Sequence, residues 1–179
     1  MQKKGRTFIP SVSYEELYRQ GIKKTLRQTF TALNRAFYNG RLPRPSFCIG
    51  TLKESADAYA GTYYNGFLKQ FELTFTPLFL EHLQEQGAKR LYETMLHEMS
   101  HIACVCQKVN RLSLTGYGLD GVEAHGQDFK DMCERHGLRA EWCNDAEQWA
   151  HTELKDPEHP VFGEIGRIYE QNVLSLKKG

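Results

Sequence analysis

The stretch Leu91-Tyr92-Glu93-Thr94-Met95-Leu96-His97-Glu98-Met99-Ser100-His101-Ile102-Ala103 decides the architecture of this chain. Its apolar positions, Leu91, Tyr92, Met95, Leu96, Met99, Ile102 and Ala103, recur at helical spacing and predict one long, largely buried helix over residues 88–105. Inside that helix stands an H-E-x-x-H pattern. Residues four apart share a helical face, so His97 and His101 can reach one zinc ion, with Glu98 beside them against a water on that ion. Two imidazoles and a carboxylate are costly to bury without a partner, and a metal supplies one.

A catalytic zinc takes a third protein ligand and keeps a fourth position open. The short metzincin spacing needs a glycine and a histidine where this chain has Cys104 and Gln107, which excludes that class. The candidates downstream are His125, Glu123, Asp128, His136 and the pair Glu141 and Asp145. His125 is the best placed. The run His125-Gly126-Gln127-Asp128-Phe129 opens a helix, expected over residues 124–136, after a glycine-rich loop at 110–121 that can fold His125 back over His97 and His101. Cys104 and Cys106 lie about 200° apart on a helix and do not share a metal easily, so they are expected as core thiols.

Upstream, Leu17, Ile22, Leu26, Phe30, Leu33 and Phe37 form one apolar stripe on a helix over residues 14–39, with Ser13 and Glu16 at capping-box spacing and Asn39-Gly40 closing it. Runs rich in Phe, Tyr and Thr then predict strands at 47–52, 58–64 and 71–76, the last two joined around Asn65-Gly66. A small, mostly antiparallel three-stranded sheet is expected. Pro77 opens a helix that Gly87 interrupts. Beyond Leu138 the pattern weakens, with residues 162–176 readable as a last helix or a packed tail.

The 179 residues suit one compact domain, and no apolar run reaches the ~20 residues a membrane helix needs. Residues 1–50 carry ten Lys or Arg against two Glu, a net of +8, leaving −7 for the remainder of a chain whose total is +1. That asymmetry fits either a solvated helix face or a surface for phosphate backbones, with Lys23, Lys24 and Arg27 as candidate nucleic-acid contacts. Five cysteines without repeated close pairing read as reduced, mostly buried thiols. With no apolar segment after the basic start, they give a cytoplasmic expectation.

Three blocks stand together: Phe30-Thr31-Ala32-Leu33-Asn34-Arg35-Ala36-Phe37-Tyr38-Asn39-Gly40-Arg41-Leu42-Pro43, then Met95 to His101, then His125 to Phe129. In order and separation they resemble the SprT-like metallopeptidase family that includes Spartan, over residues 25–140. The resemblance implies an α+β, small zincin-like fold with one catalytic Zn2+ held by His97, His101 and His125, and Glu98 as general base. It implies a protein or peptide substrate, notably proteins crosslinked to DNA, and control by DNA contacts. Many relatives carry a zinc ribbon of paired cysteines after the core; only Cys143 stands in that region here. The expected organisation is a basic arm at 1–13, a metallopeptidase domain at 14–140, and an extension at 141–179 packed on the same domain.

Zinc would lower the pKa of its water towards ~7 and polarise the scissile carbonyl, with Glu98 moving the proton to the leaving amine. Tyr117 or Tyr63 could stabilise the developing oxyanion, although each suits a packing role. The segment 58–64 is the expected edge strand for a substrate chain. Asp128 could orient a ligating histidine, or simply favour the positive end of its helix. The competing function is a nucleic-acid-binding or adaptor module with a structural zinc and no turnover. Oligomeric state is open.

Overall fold

The computed structural model describes residues 14–52, 58–112, 125–144 and 148–177. The first helix, α1 (Tyr14–Tyr38), buries Ile22, Leu26, Phe30 and Leu33 as its stripe requires, while Leu17 stays exposed. It stops where Asn39 and Gly40 turn to positive φ (54° and 71°), and Gly40 donates its N–H to the Asn34 carbonyl. The Asn34 amide then clasps the backbone N–H and C=O of Leu42, fixing the exit of the chain.

Three strands follow: β1 (Ser46–Ile49), β2 (Ala60–Asn65) and β3 (Gln70–Phe75), in the order β1-β3-β2. On β3, Phe71, Leu73 and Phe75 are buried and Glu72 and Thr74 are not, the alternation of a half-buried strand. β2 runs antiparallel to β3, but β1 pairs with β3 in parallel, so the sheet is mixed rather than mostly antiparallel. Apolar alternation specifies which face of a strand is buried and is silent on its direction, which is why the parallel pairing was not legible. The β2–β3 turn is longer than the Asn65-Gly66 pair suggests. The Asn65 Oδ1 accepts from the backbone of Phe67 and Leu68, and Lys69 takes the positive φ of 51°.

Thr76 caps α2 (Pro77–Gln86), with proline at its first position, and Gly87 at φ 62° ends it. The helix α3 (Ala88–Leu112) is the hub, touching α1, α2 and β2 among the elements already given. It extends beyond the expected end at residue 105 and takes in the start of the segment read as a loop; no glycine or proline interrupts it before Leu112. Of the five free cysteines, Cys104 and Cys133 are buried and the other three only partly so. Cys104 donates its thiol to the Asp128 carbonyl, as a core thiol would.

A short α4 (Gln127–Arg135) leads through Gly137 into the strand pair β4 (Leu138–Cys143) and β5 (Gln148–Leu154), then α5 (Pro160–Asn172) and a 3-10 turn (Leu174–Lys177). The boundary placed at residue 140 therefore runs through β4. The helix α5 enlarges the core with Val161, Phe162, Ile165 and Tyr169, stacks Phe162 on Tyr92 at 4.2 Å, and pairs Glu164 with Arg35 of α1 at 2.8 Å. Gly137 is required by both backbone and space: its φ is +90°, and a Cβ there would lie 2.5 Å from the Phe37 ring. Gly137→Ala is expected to cost about 2–4 kcal/mol, read as a lowered urea midpoint with unchanged slope.

Candidate metal centre

On α3, His97 and His101 stand one turn apart with their imidazoles on one face, and Glu98 is turned a step around the helix. His125 precedes α4 by two residues, and the packing of α4 on α3 brings its ring back to them. The His97 Nε2 lies 3.2 Å from that of His125 and 3.3 Å from that of His101, and the three ligand atoms fall within 4.8 Å of one another. Such a cluster could hold a metal ion.

The donor set fits a divalent cation by its chemistry. Burial holds His97 down to about 3, with the neighbouring His125 adding to the effect. Burial first, then the other two rings, hold His101 well below the usual histidine range, and burial also lowers His125. All three are neutral imidazoles, the form that ligates. Phe129, fully buried one turn beyond His125, is their common floor: it stacks on His101 at 4.4 Å and meets His97 and His125 at 4.9 Å each. Two Nδ1 atoms are tied to β5, His97 to the Thr152 hydroxyl at 3.2 Å and His125 to the Gln148 Oε1 at 3.3 Å.

Glu98 is 4 % exposed and lies against β2, where the Thr62 hydroxyl donates to its Oε2 at 2.7 Å. Burial pushes its carboxyl up to about 7, against the pull of that hydrogen bond. Strand alternation turns Thr62 towards Glu98 and therefore Tyr63 the other way; Tyr63 is 64 % exposed on the opposite face, which removes it as an oxyanion donor. Tyr117 and Glu123 lie outside the described residues, as does Asp145.

Asp128 makes no hydrogen bond to an imidazole. The first turn of α4 carries its carboxylate outward to Lys108 at 3.6 Å, so the partners of the rings come from β5 instead. His136 is also elsewhere, its Nδ1–H donating to the Phe37 carbonyl at 2.6 Å and its ring stacked on Tyr38 at 4.2 Å. Glu141 faces out from β4 opposite His151. Lys23, Lys24 and Arg27 are exposed on the outer face of α1. Sequence reasoning missed Thr62, Gln148 and Thr152; Phe129 lay in the quoted run without a role, although its four-residue step from His125 was the signal.

Residues 26–148 match the SprT-like family. The chain belongs to the SprT-like family. That assignment carries a metallopeptidase-like function in general terms, and the three histidines of the metal cluster lie within the matched residues. No curated protein and no solved structure matches the chain. Among the described residues, no helix is long and apolar enough to cross a membrane.

Proposed function

We propose that this SprT-like chain is a zinc-dependent endopeptidase of the cytoplasm, acting on DNA-associated or DNA-crosslinked proteins. The observation that carries this reading is the convergence of three neutral imidazoles beside a buried carboxylate that rests on an edge strand. Zinc held by His97, His101 and His125 would supply a Lewis acid and an activated water. The three neutral rings would hold the ion without adding charge. Glu98 takes the proton of the attacking water and returns it to the leaving amine, and Thr62 holds one carboxylate oxygen so that the other faces the reaction. Among the described residues β2 is the outer strand of its sheet, a position that suits pairing with an extended polypeptide and favours an unfolded segment as substrate.

Casein, a loosely folded protein, tests the reading when incubated with the full chain. Cleavage is expected to stop when a chelator removes the metal and to return with added Zn2+. Intact casein after zinc loading, with and without single-stranded DNA, contradicts it.

The exposed cations Lys23 and Lys24, four and three residues before the exposed Arg27 on α1, support the DNA half of the proposal. They equally support the second reading, an adaptor that binds nucleic acid around a structural zinc without turnover. Reversing all three charges is expected to weaken DNA binding and flatten the plot of log affinity against log salt by about 2–3. No DNA affinity at low salt removes this second reading and the DNA half of the first.

A further inference from the structure

We propose that the β4–β5 strand pair is the positioning shell of the metal centre, with Gln148 and Thr152 fixing His125 and His97 as Nδ1–H tautomers and thereby setting the affinity for the ion. The proposal rests on the reading of the three imidazoles as ligands. Gln148 and Thr152 stand on one strand, on either side of the irregularity in its pairing with β4, and each side chain meets one of the imidazoles; that strand packs against both α3, which carries His97, and α4, which follows His125.

A neutral imidazole has one N–H, and the partner of one nitrogen decides what the other can do. The Gln148 Oε1 only accepts, so His125 carries its proton on Nδ1 and turns the Nε2 lone pair to its neighbours. A hydroxyl can take either role, but the His97 Nε2 faces two other Nε2 atoms at 3.2 and 3.3 Å, where a shared cation needs a lone pair. His97 therefore donates from Nδ1 to the Thr152 Oγ1. His101 is held differently, by its stack on Phe129.

Both acceptors are uncharged. A carboxylate in either place would make the imidazole more basic and bind the cation more tightly, at the expense of its electrophilicity. Thr152 also lies beyond the matched residues 26–148, so part of this shell comes from chain that the family likeness does not cover.

The test is the dissociation constant for Zn2+, measured on the full chain by competition with a chromophoric chelator, beside thermal unfolding of each metal-free protein. Thr152→Val and Gln148→Leu are each expected to weaken binding by about 10- to 100-fold with little change in metal-free melting temperature. Thr152→Ser restores wild-type affinity, and Gln148→Glu binds more tightly than wild type. Nitrogen-correlated NMR of the zinc-loaded wild type is expected to place the remaining proton of His97 and His125 on Nδ1. Equal affinities for wild type, Thr152→Val and Gln148→Leu overturn the proposal while leaving the metal centre standing. So does a serine variant as weak as the valine one, since shape alone would then explain the loss. A wild type that takes up no Zn2+ overturns the ligand reading and this proposal with it.

Discussion

Glu98→Gln is expected to keep its metal and lose its turnover. The substitution changes one oxygen of a buried carboxylate to an amide nitrogen and leaves His97, His101 and His125 untouched, so zinc content stays at the wild-type level. The amide oxygen can still accept from Thr62, as the carboxylate does at 2.7 Å, so the side chain has a reason to stay in place. What it loses is the ability to take a proton. A positioned general base contributes about 10²–10⁴ in rate, and kcat on casein should fall by that factor while KM changes little. The pairing of full zinc occupancy with lost turnover is the diagnostic result. Equal cleavage by wild type and variant, both zinc-loaded, excludes Glu98 as the base.

His125→Ala is expected to produce the largest loss of metal. Its Nε2, from the segment just before α4, joins a cluster otherwise built from two side chains of α3. Removing it leaves two ligands and an unpaired Gln148 amide, and the affinity for Zn2+ should fall by more than the roughly 100-fold that an outer-shell change costs. His136→Ala and Glu141→Ala are the informative controls. The first removes a ring committed to the Phe37 carbonyl and the Tyr38 stack, the second an exposed side chain of β4, and both should bind zinc as wild type does. Metal lost in His136→Ala and kept in His125→Ala would place the third ligand at the wrong histidine.

The contrast between those residues shows what the sequence could disclose. H-E-x-x-H inside an apolar helical period needs no tertiary information, because spacing alone puts His97 and His101 on one face. His125 was reachable by one further step, from the glycine-rich run before it to a loop able to reverse the chain. The α1 stripe and its Asn39-Gly40 stop were legible for the same reason: both are local. The parallel pairing of β1 with β3 was not, since pairing direction is settled by which strand lies between which others. The β4–β5 pair was harder still. Leu138 and Ala140 alternate with Arg139 and Glu141, but small and charged residues give a faint signal, and the strand breaks register between Glu141 and Cys143. With that strand pair unread, Gln148 and Thr152 had no place near the metal centre, and Asp128 stood in for them on chemistry alone. The structure sends Asp128 outward because a residue in the first turn of α4 need not share the direction of His125, which precedes the helix.

Elemental analysis of the purified full chain, prepared without chelators, tests the central claim most directly. One equivalent of zinc per chain is predicted, released by chelation and regained stoichiometrically on adding Zn2+. A chain that holds no transition metal and takes up none when it is offered contradicts the account.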